Sequence, residues 1–221
     1  MVTQLQCKAL LFDMDGTLID TTPAVERYWK NFCKQHSIIE EELFSMCHGV
    51  RSIEVLKRFT PEKATLEHAT FIENEAAQDA EGVTAINGAF NLLHKLPANA
   101  WAIVTSAGRG MAELRFNQQS FPFPKVFVTG SEVTHGKPHP EGYLKASKEL
   151  GIEPIDCVVF EDAPAGIQAA LNGNMRVIGI VSTHTKESLD GALVHVKSYD
   201  DLEIEYNPDT GIYTITVINA L

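Results

Sequence analysis

The apolar stretch Ala9-Leu10-Leu11-Phe12 runs directly into Asp13-Met14-Asp15-Gly16-Thr17, and this junction limits the fold more than any other feature of the chain. An apolar run this short reads as a strand buried on both faces. Such strands belong to parallel sheets whose carboxyl ends meet ligands. Two carboxylates one residue apart repel each other, so holding both ionised calls for a compensating cation. Gly16 supplies a backbone that can turn and approach a ligand closely. Taken alone, these residues fit a plain strand and Asp-Gly turn equally well.

Three later segments shift that balance. Trp101-Ala102-Ile103-Val104 is a second apolar strand, ending in the hydroxyls of Thr105 and Ser106. His135-Gly136-Lys137-Pro138-His139-Pro140 is a loop with one cation fixed between Gly and Pro. Cys157-Val158-Val159-Phe160 ends in Glu161-Asp162 and then a helix start marked by Pro164 and Gly166. In chain order the segments supply an acid pair, a hydroxyl, a lysine and a second acid pair.

With these four motifs the sequence resembles a phosphatase of the haloacid dehalogenase superfamily. Asp13-Met14-Asp15-Gly16-Thr17 matches the first motif, Thr105 the second, Lys137 the third and Glu161-Asp162 the fourth. His48-Gly49-Val50-Arg51, Gly136-Lys137-Pro138-His139-Pro140 and the run from Val159 to Gly166 are most similar to the branch acting on sugar, 2-deoxyglucose-6- and glycerol phosphates. The resemblance implies Asp13 as nucleophile and Asp15 as general acid and base. It implies Mg²⁺ held by Asp13, Asp162 and the backbone carbonyl of Asp15, with Glu161 either a further ligand or the partner that orients Lys137. Thr105 with nearby amides, Ser106 mainly through its backbone, and Lys137 would bind the transferring oxygens. His48 and Arg51 would contact the substrate from an inserted segment, Arg51 on its non-reacting part or its phosphate.

The remaining alternatives are a sugar-phosphate mutase of the β-phosphoglucomutase type and a non-catalytic sugar-phosphate sensor. Mutases of that type carry a histidine near the position of Val25, and its absence favours hydrolysis. Retention of Asp15 argues against a sensor, and also against carbon-halogen or carbon-phosphorus cleavage.

Composition agrees with a metabolic enzyme. The net charge of −11 over 221 residues, with no basic block, excludes broad binding of nucleic-acid backbones. It would also repel a phosphate, so a metal and the local cations Lys137, Arg51 and Arg109 must reverse the field at the site. The four cysteines show no paired spacing and read as reduced structural thiols. No signal-like segment or bilayer-length apolar run is present, which makes the cytoplasm the expected compartment. The expected partner is a small phosphate monoester, with no membrane, nucleic acid or obligate protein partner.

The expected fold is α/β: a doubly wound, Rossmann-like parallel sheet of haloacid dehalogenase type, with a helical cap after the first strand and a C-terminal β-hairpin. A helical pattern with Val25, Tyr28, Trp29 and Phe32 on one face, and further ones at 41–47, 52–59 and 61–78, with no strand among them, assign 18–85 to the cap. Thr22 would cap the first of these helices, ahead of Pro23. Residues 1–17 and 86–221 would form the core, where helices alternate with strands at 100–105, 126–129, 157–160 and 176–181. Segments 18–20 and 85–88 would act as hinges, with Gly88 as the flexible point. The insertion shows no evident aromatic platform for a nucleobase.

Overall fold

Alternation within the first apolar strand divides its side chains between two cores. The computed structural model describes residues 4–221, so the first three residues of the expected core segment lie outside the described residues. After β1 (Gln4–Cys7), β2 (Ala9–Phe12) sends Leu10 and Phe12 to one core and Ala9 and Leu11 to the other, and none of the four reaches solvent. Fully burying each of the Leu and Phe side chains contributes roughly 1.5–3 kcal/mol.

The insertion follows: β3 (Ile19–Asp20), α1 (Thr22–His36), α2 (Glu40–Phe44), α3 (Ser52–Phe59), α4 (Leu66–Gln78) and β4 (Thr84–Ala85). From there helices and strands alternate: α5 (Ala89–Leu93), β5 (Trp101–Val104), α6 (Arg109–Gln118), β6 (Val126–Val128), α7 (Glu141–Leu150), β7 (Cys157–Glu161), α8 (Pro164–Asn172), β8 (Arg176–Ile180) and β9 (Val194–Val196). The chain closes with β10 (Leu202–Asn207) and β11 (Ile212–Val217). Six strands form one parallel sheet in the order β6-β5-β2-β7-β8-β9. Because β5 and β7 flank β2, the strand order reverses at β2. The carboxyl end of that strand is therefore the crevice where doubly wound sheets receive ligands.

The insertion has a core of its own, built on Trp29, Phe32, Leu43, Leu56 and Ile72. Trp29 and Phe32 meet edge to face, 5.3 Å between ring centres. The expectation of no strand within 18–85 needs correction, since Ile19 pairs with Ala85 and Asp20 with Thr84 in a two-stranded ribbon where the insertion leaves and rejoins the core. Strands of two residues are too short to show alternation. Thr22 does not cap α1 either. The helix begins at Thr22 itself, whose amide is received by Asp20 Oδ1 at 3.1 Å, with Pro23 in the first turn. The segment before Gly88 is pinned to the core, because the Tyr199 amide donates to the Asn87 carbonyl at 3.0 Å.

The expected series of parallel strands stops one short, as β9 extends the sheet beyond β8. The C-terminal hairpin forms as expected, and β1 joins it in an antiparallel sheet of order β1-β11-β10. Gln4-Leu5-Gln6-Cys7 carries the period-two pattern for this, exposed and buried in turn. Among the described residues, no helix is long and apolar enough to cross a membrane.

The hairpin also holds a phenol under tension. Tyr213 sits opposite Cys7, fully buried, and its hydroxyl has no hydrogen-bond partner among the described residues. An unmade bond of this kind costs about 1–3 kcal/mol in desolvation. Tyr213→Phe keeps the ring and removes the orphan, so it should raise the urea midpoint by the equivalent of about 1 kcal/mol. A loss of stability would show that the hydroxyl has a partner.

Candidate active site

Four neighbouring parallel strands end at one edge, and each delivers polar side chains there. β2 leads into Asp13 and Asp15, β5 into Thr105 and Ser106, β7 ends in Glu161 followed by Asp162, and the loop after β8 brings Thr183. Lys137 enters from the loop before α7. Its ammonium donates to Asp13 Oδ1 and to Glu161 Oε1, both at 2.5 Å, and all three side chains are almost wholly buried.

Both oxygens of Glu161 are engaged. Oε1 receives Lys137 and the Tyr143 hydroxyl (2.9 Å), while Oε2 receives the amides of Asp162 (3.0 Å) and Ala163 (3.1 Å). Of the two expected roles, these bonds show Glu161 holding Lys137 and the start of α8, while its carboxylate still groups with Asp13 and Asp162 in a cluster that could hold a metal ion. Gly166 is what lets it fit, because a Cβ there would lie 1.7 Å from Glu161 Oε1.

Asp162 faces the other way. Its Oδ1 receives the Thr17 hydroxyl at 2.8 Å, and its Oδ2 the hydroxyl of Thr183. Gly16, at φ +81°, closes the turn over it, where a Cβ would fall 2.1 Å from Asp162 Oδ2. Within that turn the Met14 carbonyl accepts the amides of Thr17, Leu18 and Ile19, whereas no described donor reaches the carbonyl of Asp15. Asp15 Oδ1 accepts the Thr21 hydroxyl at 2.8 Å.

Charge at this edge is unbalanced. Three carboxylates, Asp13, Glu161 and Asp162, can all bring an oxygen within 4.8 Å of one another, against one ammonium. Burial pushes Asp13 well above the ordinary carboxylate range although Lys137 pulls it down. Burial and the Glu161 charge push Asp162 up to about 7. Burial also raises Asp15, against the pull of Thr21. The two acids hold Lys137 firmly protonated.

Above the sheet edge lies a cavity of about 100 Å³, room for about three waters at liquid density. Asp13, Asp15, Asp162, Thr105, Ser106 and Thr183 form its floor. Val25, Tyr28, Trp29, His48, Ser52 and Glu73 reach it from the insertion, and Tyr28 and Trp29 supply the aromatic surface that the sequence was expected to lack. Burial, with the neighbouring His184, lowers the His48 pKa and favours its neutral form. Thr105 accepts the Ala107 amide at 3.0 Å, which leaves its own proton for a ligand. The Ser106 hydroxyl is engaged with the Gly49 carbonyl of the insertion at 2.8 Å, so that residue offers the cavity its backbone.

Arg51 departs from expectation. Its guanidinium grips Glu54 and donates to the carbonyls of Gly130 (3.3 Å), Val133 (2.8 Å) and Thr134 (3.0 Å), so it clamps the insertion to the core away from the cavity. A flexible Arg finds three core carbonyls that no spacing in the sequence reveals. Arg109 is likewise turned outward, to the Phe127 carbonyl and Glu132.

The sequence reading missed Thr17, Thr183, Tyr143 and Glu73. Thr183 had a signal, since Val181-Ser182-Thr183 follows an apolar strand as Thr105 does. Glu73 had none. It lies mid-helix in α4, and only tertiary packing sets its carboxylate on the Gly108 amide, at 2.9 Å.

Comparison with known proteins agrees with this geometry. The haloacid dehalogenase-like hydrolase family matches residues 10–198. Hexitol phosphatase A of Escherichia coli is 37% identical over 210 residues, covering 93% of this chain and 97% of that protein. Glycerol-1-phosphate phosphohydrolase 1 of Saccharomyces cerevisiae is 35% identical, covering 93% and 88%. The crystal structure of a β-phosphoglucomutase from Clostridium difficile superposes with a TM-score of 0.76 at 23% identity, over 89% of this chain and 93% of that one, a likeness of fold.

Two outcomes follow from the packing and the charges. Without divalent cation, folded Asp162 binds its proton more tightly than the unfolded chain does. Stability is then fully present below the ordinary value near 4 and is lost as pH rises through about 7. In chelator the thermal midpoint should fall between about pH 4 and 7, and Asp162→Asn should flatten the slope; a midpoint rising with pH would contradict the assignment. Arg51→Ala, which strands Glu54 and three carbonyls, should cost about 3 kcal/mol in urea unfolding, and Arg51→Lys should restore only part because it lacks the planar fork. Unchanged stability in Arg51→Ala would remove the clamp.

Proposed function

Because the chain belongs to the haloacid dehalogenase-like hydrolases and is a phosphatase by its likeness to the two enzymes above, we propose that it hydrolyses phosphate monoesters of small sugars or polyols through a phosphorylated Asp13. Hexose, deoxyhexose, hexitol and glycerol phosphates are the substrates this reading favours. One observation carries it: Asp13, fixed by Lys137, stands beside Asp15 on the floor of a cavity of polyol size. We further propose that residues 18–85 act as a lid over a core of residues 1–17 and 86–221.

The donor set fits Mg²⁺. Asp13 and Asp162 offer hard oxygens, the Asp15 carbonyl is unpaired, and the uncompensated negative charge favours a divalent ion. When bound by these groups, Mg²⁺ would offset the repulsion between a phosphate dianion and the carboxylates.

The remaining chemistry is carried by side chains. The free oxygen of Asp13 attacks phosphorus as the ester bond breaks, forming an aspartyl phosphate. Asp15, whose raised pKa favours a protonated carboxyl, donates that proton to the departing alkoxide. It then takes a proton from the water that attacks the phosphoaspartate, and inorganic phosphate leaves. Lys137 holds Asp13 in place and neutralises it, while Thr105 donates to an oxygen of the transferring group. Val25 on the cavity wall offers no group able to shuttle a proton, which supports hydrolysis over isomerisation.

The test separates the two aspartates. Wild-type protein with Mg²⁺ should release phosphate from hexitol or glycerol phosphate, and chelator should stop it. Asp13→Asn should abolish turnover and show no phosphorylated protein by mass spectrometry. Asp15→Asn should slow turnover by ~10²–10⁴-fold while still accepting the phosphoryl group. A phosphorylated Asp13→Asn protein, or chelator-resistant turnover, would overturn the mechanism.

A further inference from the structure

The cavity is short of positive charge on the side away from the sheet. Its walls include four acids, Asp13, Asp15, Asp162 and Glu73, and neither a lysine nor an arginine. Lys137 lies beneath Asp13, and the Arg51 guanidinium is enclosed by Glu54 and core carbonyls. His48 is held toward its neutral form, so the insertion brings no fixed cation to the substrate's tail.

Glu73 is the one insertion acid on this wall. Burial raises the Glu73 pKa, and the Gly108 amide, which donates to its Oε2 at 2.9 Å, works against that shift in favour of the carboxylate. That bond fixes it in the cavity wall contributed by the insertion, which Tyr28 and Trp29 also line. A fixed carboxylate beside aromatic carbon faces suits a chain of hydroxyls: it accepts their protons, and the rings cover the C–H edges. The same carboxylate opposes a second anion. Two like charges about 6 Å apart at an effective dielectric of 20 change affinity by on the order of 100-fold.

We infer that Glu73 restricts this phosphatase to monoesters whose non-reacting part is an uncharged, hydroxyl-bearing chain, rejecting esters that carry a second phosphate or a carboxylate. The inference rests on the phosphatase reading and names the residue that sets the substrate class. It also gives a structural reason against a mutase, whose bisphosphate would bring a second dianion to Glu73.

Size-matched pairs test it: glycerol 1-phosphate against 3-phosphoglycerate, and a hexitol 6-phosphate against fructose 1,6-bisphosphate, each read as kcat/KM with Mg²⁺. The wild-type enzyme should prefer the neutral-tailed member of each pair by at least 100-fold. Glu73→Gln, whose amide oxygen can still accept from Gly108, should reduce that ratio about tenfold or more. The change should come through a higher KM for the polyol ester and a lower one for the anionic ester, a split that a merely structural residue would not produce. If Glu73→Gln fails to fold, Thr22→Lys sets an ammonium on the same wall and should move the ratio the same way. A wild-type ratio near one, or a ratio unmoved in the folded variant, overturns the inference and leaves the phosphatase reading intact. No phosphate from either member of both pairs overturns both.

Discussion

Everything at the sheet edge is organised by one buried ammonium. Lys137 lies 2.5 Å from both Asp13 and Glu161, nearly out of solvent. Removing the ammonium would strand both carboxylates in a low-dielectric interior, typically at 3–5 kcal/mol. The triad therefore fixes the geometry around it. Glu161 is fastened by Tyr143 and by the first amides of α8, and the loop before α7 is fastened by its lysine. Asp13 is left with one engaged oxygen and one facing the cavity. The residue expected to do chemistry is held by residues that need do none.

A second constraint joins the insertion to the core. Arg51 on one side grips three carbonyls of the core, and the Ser106 hydroxyl on another grips the Gly49 carbonyl. Glu73 and the Gly108 amide make a third junction, and the fully buried Arg115 of α6 a fourth, donating to the Ala76 carbonyl at 3.1 Å. All four are polar contacts to backbone. Hydrogen bonds of this kind are each worth about 1 kcal/mol net, and they add to an apolar junction, since Ala24, Ala77 and Val83 of the insertion are buried in one cluster with Met111 and Phe116 of the core.

What the sequence made legible follows from how local each signal is. Asp13, Asp15, Thr105, Lys137, Glu161 and Asp162 stand at the ends of short apolar runs or in a Gly-Pro loop, so position along the chain placed them at one sheet edge before any contact was known. The parallel sheet and the terminal hairpin were readable for the same reason, as period and turn chemistry are local. β9 was not, because Val194-His195-Val196 is three residues long and includes a polar one. The pairing of β1 with β11 spans nearly the whole chain and is decided by which edge lies free. Arg51 and Glu73 were illegible for a further reason: long side chains on helices meet partners chosen by how the insertion sits. In Arg51 the sequence showed a cation near the substrate, and tertiary packing turned it into a clamp.

The acidity of the chain, which at first argues against an anionic substrate, becomes intelligible at the site. Lys137 cannot attract a phosphate unaided, because Asp13 and Glu161 already oppose its charge and Asp162 adds a further negative one. In the proposed reading, attraction for the reacting phosphate comes from a divalent ion on Asp13 and Asp162, supported by Thr105 and the amides beside it. Binding of the ion and of the substrate would then be coupled by the same excess of carboxylate. That excess extends across the cavity to Glu73, where no cation offsets it. One end of the cavity is thus built to be neutralised and the other to stay negative, and a phosphate ester with an uncharged tail is the molecule whose charge distribution matches both.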